Sequence, residues 1–187
     1  MKNFHREDLL FSLCGLNCAL CPMKLDKYCP GCGGGAGNQG CAFARCSLQR
    51  GGLEYCYQCE AFPCPSYDGI EEFDSFITHR NQLGDMAKMK EIGVEAYHAE
   101  LGEKAEMLHY LLRHFNDGRR KTFFCVAVNL LPLADCKEAL EQIEASISSR
   151  ELSLKERAAI GVKVFQAMAE RRNIVLKLNK KPSKKGK

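Results

Sequence analysis

The chain has 187 residues, of which 45% are hydrophobic, and a formal net charge of +4. This length suits one ordinary domain or two small ones, and the apolar fraction is that of a globular protein with a buried core. No apolar stretch is long enough to cross a bilayer, and the run from Leu9 to Leu20 is broken by polar residues and lacks a cleavage site of small residues. We therefore expect a cytoplasmic protein without a secretory signal, whose thiols stay reduced.

The positive charge is concentrated at the C-terminal end. Residues 171–187 carry eight Lys/Arg and no Asp/Glu, whereas residues 1–66 carry six against five and residues 67–170 thirteen against eighteen. A basic end of this kind can bind the phosphates of nucleic acid weakly. Because the cysteine-rich part has few basic residues, a solubilising, disordered tail over residues 179–187 is the favoured interpretation.

Ten of the twelve cysteines lie in the first third of the chain. They are Cys14, Cys18, Cys21, Cys29, Cys32, Cys41, Cys46, Cys56, Cys59 and Cys64. Clustered cysteines in a reducing compartment bind metal more often than they form disulfides. Six glycines between residues 31 and 40 leave little apolar surface to bury, so we expect residues 1–66 to be an irregular module held together by metal.

Three adjacent pairs, Cys18/Cys21, Cys29/Cys32 and Cys56/Cys59, have the spacing that lets two sulfurs of a tight turn face one tetrahedral ion. Cys41/Cys46 is a fourth, wider pair. Four pairs make two zinc sites of four cysteines each and leave Cys14 and Cys64 over. The spacing does not decide whether the pairs combine in sequence, which would put Cys41 with Cys46, Cys56 and Cys59, or interleave.

An iron–sulfur cluster is the alternative cofactor, because thiolates alone do not distinguish zinc from iron. Cys14-x-x-x-Cys18-x-x-Cys21 has the spacing of radical enzymes that hold a four-iron cluster and S-adenosylmethionine. Those enzymes need a long alternation of strands and helices after the motif, which this sequence lacks. An iron–sulfur protein that transfers electrons or acts as an enzyme is therefore the second hypothesis, after a zinc protein.

With these residues the chain resembles an uncharacterised bacterial and archaeal family, domain of unknown function 3795. The matching stretches are Cys14-Gly15-Leu16-Asn17-Cys18-Ala19-Leu20-Cys21-Pro22, Cys29-Pro30-Gly31-Cys32, the Cys41 to Cys46 pair and Cys56-Tyr57-Gln58-Cys59-Glu60-Ala61-Phe62-Pro63-Cys64. The family's proline–aromatic pair after the third cysteine is here Pro22-Met23. The resemblance implies a metal-binding module that includes all ten cysteines, and it implies no activity.

After residue 66 the sequence predicts a mainly α-helical bundle of five or six helices over residues 67–178. The predicted helices are a first one capped by Asp68 with an apolar stripe of Ile70, Phe73, Phe76 and Ile77, then Asp85 to Ile92, Val94 to Phe115, Lys121 to Leu131, one capped by Asp135 and running to Ile147, and one opened by the capping box Ser153-Leu154-Lys155-Glu156. A buried strand is the second interpretation of Lys121 to Leu131. Residues 174–178 are predicted to form an edge strand or a last helical turn.

No catalytic constellation stands out in the sequence. His98, His109 and His114 lack the i, i+4 spacing of a helical metal pair, so surface or capping roles are favoured. Cys125 is predicted to lie in the core, and Cys136 to be a helix-start thiol without an obvious base. We therefore expect a non-catalytic zinc protein with an interaction or regulatory role. A protein partner suits that role, nucleic acid is a less favoured partner, and no membrane partner is expected.

Overall fold

A computed structural model describes residues 3–35, 40–148 and 151–182. Their α-helices are α1 (Pro22–Leu25), α2 (Ala42–Gln49), α3 (Gln82–Ile92), α4 (Val94–His114), α5 (Lys121–Leu130), α6 (Leu133–Ile147) and α7 (Leu154–Arg171). Short 3-10 turns lie at Cys18–Leu20, Cys56–Gln58 and Pro65–Tyr67, and the described part of the chain contains no strand. The prediction of a cysteine-rich N-terminal region followed by a mainly helical domain is confirmed.

Helix α4 is the central element of the helical domain and packs against α3, α5, α6 and α7. Leu101, Leu108 and Leu111 lie on one face of α4 and are almost completely buried, as expected for a helix with an apolar stripe. Phe124 of α5 and Phe165 of α7 meet edge to face beside them, with ring centroids 6.0 Å apart. Among the described residues, no helix has the length and apolar character that crossing a bilayer requires.

Several predicted elements are confirmed. Helix α3 ends before Gly93, and α4 begins immediately after it. The apolar run that starts at Lys121 is a helix, not a strand. The capping box at the start of α7 is formed, because the Glu156 amide donates to Ser153 Oγ at 3.3 Å and the Ser153 amide donates to Glu156 Oε2 at 2.9 Å.

The helix predicted after Asp68 is wrong. Residues 68–78 form turns and bends, and Phe76, predicted to be on the apolar face, is 62% exposed. The reason is Asp74, whose carboxylate accepts hydrogen bonds from the amides of His79 at 2.7 Å and Asn179 at 2.8 Å. A side chain that satisfies backbone donors in this way offers the chain an alternative to the helical hydrogen-bond ladder.

Two further details differ from prediction. Helix α6 begins at Leu133, and Asp135 lies in its first turn, where its carboxylate accepts hydrogen bonds from Arg172 at 2.7 and 2.8 Å instead of capping the helix. Residues 174–178 form neither the predicted edge strand nor a last helical turn. Their carbonyl groups at Val175 and Lys177 accept hydrogen bonds from the Arg80 guanidinium.

The predicted tail is only partly described, because residues 183–187 lie outside the described ranges. At its start, the Asn179 carbonyl accepts a hydrogen bond from the Asp74 amide at 2.7 Å, and Lys180 Nζ donates to the Ser75 carbonyl at 3.1 Å. These contacts join the end of the described chain to the turns that follow the cysteine segment.

The cysteine segment packs on the helical domain through a few buried apolar side chains. Phe11 and Leu20 belong to the main hydrophobic core, and the Phe11 ring lies 5.0 Å from the ring of Tyr97 in α4. Phe4, Leu13 and Ala44 form a separate, much smaller buried cluster within the segment. The segment therefore has little core of its own.

Candidate metal centre

All ten cysteines of the segment line one of two cavities. The six-cysteine cavity, of about 520 Å³, is lined by Cys14, Cys18, Cys21, Cys29, Cys32 and Cys41. The four-cysteine cavity, of about 30 Å³, is lined by Cys46, Cys56, Cys59 and Cys64. Pairing in sequence would have put Cys41 in the second group and left Cys64 out. In the structure Cys41 lines the six-cysteine cavity and Cys64 lines the four-cysteine cavity.

Tight turns bring the members of the close pairs together. The Cys21 amide donates to the Cys18 carbonyl at 3.1 Å, and the Cys59 amide donates to the Cys56 carbonyl at 3.0 Å, so both pairs span a 3-10 turn. In the remaining close pair, Gly31 has a φ of +105°, and a Cβ there would lie 2.5 Å from the Leu9 carbonyl oxygen. Glycine thus permits both the turn and its close approach to the N-terminal segment.

Backbone amides point at the sulfurs of the six-cysteine cavity. The amides of Met23 and Lys24 hydrogen-bond to the Cys21 sulfur, and the amide of Leu13 hydrogen-bonds to the Cys32 sulfur. Such donors stabilise a thiolate and lower its pKa. They do not offset burial, which raises the pKa of both thiols.

Burial also dominates the pKa of the deeper thiols. It raises the pKa of Cys18 to about 12 and that of Cys56 to about 11, and neighbouring thiolates add to the increase. The pKa of the fully buried Cys14 thiol is raised in the same way, by burial and by the thiolates of Cys32, Cys41 and Cys56. Without a cation these groups stay protonated at neutral pH, and a bound metal ion would reverse that preference.

Two arginines place positive charge beside the thiols. The Arg6 guanidinium donates to the Cys32 carbonyl at 3.2 Å and to the Phe11 carbonyl at 3.0 Å, and it forms an ion pair with Glu54 at 3.2 Å. At the other cavity the exposed Arg50 guanidinium hydrogen-bonds to the Cys46 sulfur, which raises the pKa of Arg50. Arg50 lines the four-cysteine cavity and can offset negative charge on its thiolates, whereas the charge of Arg6 is already paired with that of Glu54.

A polar network attaches the six-cysteine cavity to three helices. Asn17, between Cys14 and Cys18 in the sequence, donates to Asp85 Oδ2 of α3 at 2.7 Å and to Asn129 Oδ1 of α5 at 3.0 Å. The Tyr97 hydroxyl of α4 donates to Asn17 Oδ1 at 2.9 Å. Burial raises the pKa of Asp85 to about 6, against the opposing effects of Lys104 and the Asn17 hydrogen bond.

The remaining candidates lie away from the two cavities. Cys125 and Cys136 are buried in α5 and α6, and burial raises their pKa to about 12 and about 11, so both thiols are protonated at neutral pH. His98 pairs with Asp8 at 3.0 Å, in agreement with a role outside a metal pair.

The thiols that line each cavity are not arranged to coordinate a single ion. Among the His, Cys, Asp and Glu residues that the structure describes, no three are grouped so as to hold a metal ion. In a tetrahedral zinc site with bonds of about 2.3 Å, the sulfurs lie roughly 3.8 Å apart. Coordination of a single ion by these thiols would therefore require the cysteines around a cavity to move inward.

Comparison of the chain with protein-family models, with curated proteins and with solved structures finds no match. The chemistry of the centre is therefore inferred from its own residues. Spacing identified the cysteines but missed the residues around them, namely Arg6, Asn17, Arg50, Tyr67 and Asp85. Of these, only Asn17 could have been noticed in the sequence, because it is a polar residue between two predicted ligands, Cys14 and Cys18.

Proposed function

We propose that the protein binds zinc through its cysteine segment and serves a non-catalytic interaction or regulatory role. The observation that supports this proposal best is the division of all ten cysteines between two cavities, with none left elsewhere in the segment. It agrees with the resemblance to domain of unknown function 3795, which implies that all ten belong to one metal-binding pattern.

The donor set suits the proposed ion. Thiolates are soft ligands that select zinc, copper(I) or iron–sulfur clusters over magnesium and calcium. No carboxylate or imidazole is among the described residues that line either cavity. The amides directed at the sulfurs and the nearby arginines are the kind of outer interactions that orient ligands and moderate their charge.

Energetics also support a structural role for the ion. The buried cluster that belongs to the segment alone consists of Phe4, Leu13 and Ala44. Burial of a large apolar side chain contributes about 1.5–3 kcal/mol, whereas a structural zinc site contributes about 10–16 kcal/mol of apparent binding free energy. We therefore expect the metal, more than burial within the segment, to stabilise the fold of the cysteine segment.

The size of the six-cysteine cavity favours an iron–sulfur cluster as the second candidate. A cavity of about 520 Å³ is much larger than one ion occupies. In a cluster the thiolates bind different irons and the inorganic sulfides fill the space between them. An iron–sulfur protein would use the same cysteines for electron transfer or catalysis.

Anaerobic purification of the full chain, followed by elemental analysis, acid-labile sulfide determination and a visible spectrum, separates the two candidates. Zinc without a visible band is the expected result, and its removal by a strong chelator should collapse the amide chemical-shift dispersion of the cysteine segment. Iron with labile sulfide and a broad visible band would refute the zinc proposal and support the iron–sulfur protein instead. Protein that contains neither metal would refute both. Cys125→Ala is the matched control and should retain the full metal content.

A further inference from the structure

One side of the six-cysteine cavity is formed by a bend outside the cysteine segment. Ser75, Phe76 and Ile77 line the cavity together with its six cysteines, and we call these three residues the cavity wall. They lie among the turns and bends that precede α3. Ile77 is buried, whereas Phe76 is largely exposed. The position of this wall therefore affects how open the cavity is.

The hydrogen bonds within the bend set its shape. The Ser75 amide donates to the Ile77 carbonyl at 3.2 Å. The Asp74 carboxylate accepts from Thr78 Oγ1 at 3.3 Å and from the His79 amide at 2.7 Å. Because both partners of each bond belong to residues 74–79, these bonds leave the position of the bend relative to the cysteines to be fixed by other contacts.

A segment near the end of the described chain supplies such contacts. We call this segment, residues 174–180, the C-terminal strap. The Asp74 amide donates to the Asn179 carbonyl at 2.7 Å, and the Asn179 amide donates to Asp74 Oδ2 at 2.8 Å. Lys180 Nζ donates to the Ser75 carbonyl at 3.1 Å. Among the residues that the structure describes, every hydrogen bond that joins residues 74–77 to a partner outside residues 74–80 goes to the strap.

Arg80, at the end of the bend, binds the strap a second time. Its guanidinium donates to the Val175 carbonyl at 2.8 Å and to the Lys177 carbonyl at 2.9 Å. It also lies 4.0 Å from the buried Asp74 carboxylate. The fixed fork of a guanidinium can bind two carbonyl groups at once, which the single ammonium of lysine does less well. Bend and strap are therefore joined at both ends of residues 74–80.

The strap is anchored in the helical domain. Ile174 and Leu176 pack against the main hydrophobic core, and Leu178 is buried. Val175, between the first two, is 66% exposed. This alternation is that of an extended chain with one buried face. The strap thus ties the cavity wall to the helices, although the wall itself lies beside the cysteine segment.

We propose that the C-terminal strap is a latch, which holds the cavity wall in place and whose release opens the six-cysteine cavity. The hydrogen bonds of Arg80 to the strap and of Lys180 to the wall are exposed to solvent. Exposed hydrogen bonds are typical of segments that open locally, without unfolding of the whole protein. The described lining of the four-cysteine cavity does not include the wall, so release should leave that cavity unchanged. The inference concerns access to the thiols and does not depend on the proposed binding of zinc.

The test measures how fast N-ethylmaleimide labels each cysteine of the full chain under native conditions, with peptide mass spectrometry as the readout. Arg80→Ala removes the two bonds to the strap carbonyls, and Asn179→Pro removes the amide that donates to Asp74. Each variant should label the six-cysteine cavity about tenfold faster, most clearly at the buried Cys14. Labelling through an open state scales with its population, and loss of a hydrogen bond to a charged group changes that population by about this factor. Labelling of the four-cysteine cavity should not change.

Arg172→Ala is the matched control, because it removes a guanidinium that also makes two hydrogen bonds, to Asp135 of α6, and it should leave all labelling rates unchanged. Unchanged rates in both strap variants would refute the latch. Equal acceleration at the two cavities would show general destabilisation and would refute it as well. Elemental analysis of the same samples separates the latch from the metal: faster labelling at equal metal content supports the latch, whereas faster labelling only where metal is lost would overturn it. Protein without zinc would refute the proposed function and leave this comparison valid.

Discussion

Ionisation of the buried Asp85 carboxyl should make the free energy of unfolding depend on pH. Its Oδ2 accepts a hydrogen bond from Asn17 at 2.7 Å and another from Asn81. Burial nevertheless raises its pKa from 3.8 to about 6. Folding therefore makes this carboxyl harder to ionise, but with a pKa of about 6 it is still mostly ionised at neutral pH, so Asp85→Asn removes a buried charge there.

The magnitude follows from the two pKa values. Each pKa unit corresponds to 1.36 kcal/mol, so ionised Asp85 costs about 3 kcal/mol. Because the pKa is raised on folding, proton binding stabilises the fold fully below pH 3.8, and this contribution is lost as the pH rises through about 6. The free energy of unfolding of Asp85→Asn relative to the unsubstituted protein should thus increase from near zero at pH 4 to about 3 kcal/mol at pH 8.

The assay is denaturant unfolding followed by far-ultraviolet circular dichroism at several pH values between 4 and 8. Metal loss at low pH affects both proteins, so the quantity to compare is the difference between them. Asp68→Asn, at an exposed position, is the matched control and should show no such trend. A difference that does not vary with pH, or a variant that is less stable at pH 8, would refute the view that burial governs Asp85.

Two further predictions concern the backbone. Gly15→Ala should destabilise the protein by more than the roughly 1–3 kcal/mol of a strained backbone alone, because its φ is +102° and a Cβ would lie 2.5 Å from the Gln82 carbonyl oxygen. Gly51→Ala is the control in thermal unfolding, because Gly51 has a similar φ of +87° but no atom within 4 Å of the added Cβ. An equal loss of stability in both variants would contradict the role of the Cβ contact with the Gln82 carbonyl. Ser153→Ala should lower the free energy of unfolding by about 0.5–2 kcal/mol, because the side-chain cap of α7 is lost. Glu156→Gln should retain most of the stabilisation by the capping box, because a glutamine side chain can still accept from the Ser153 amide. Equal stability of Ser153→Ala and the unsubstituted protein would show that the cap is dispensable.

Local patterns predicted the helices well where tertiary contacts agree with them. Helix α4 follows from a long apolar stripe, and the start of α7 follows from a capping box. The stripe after Asp68 has the same helical spacing and gives no helix. There Asp74 binds the amide of Asn179, more than one hundred residues later, and no local pattern contains that information.

The grouping of the cysteines could not be predicted for the same reason. Spacing shows which sulfurs share a turn, as in Cys18/Cys21, but cavities are formed by turns that meet in space. Cys64 joins Cys46 because the chain folds back around Tyr67 and Phe43, whose rings lie 4.9 Å apart. Pairing in sequence assumes that neighbouring pairs along the chain are neighbours in space, yet Cys41 and Cys46 line different cavities.

The proposed metal and apolar burial would stabilise different parts of this molecule, and Asn17 lies where the two parts meet. The helices around α4 have a continuous core that contains none of the ten clustered cysteines except through Cys56, which packs at its edge. The cysteine segment is attached to this core by the buried side chains of Phe11 and Leu20. Under the proposed function, metal bound to its thiols would stabilise the rest of the segment. Asn17 belongs to the segment by sequence, yet its amide bonds to α3 and α5 and accepts from α4. If the proposed metal is bound, any movement of Cys14 and Cys18 toward the ion would act on these hydrogen bonds, so we expect metal binding to alter the interface between the segment and the helices.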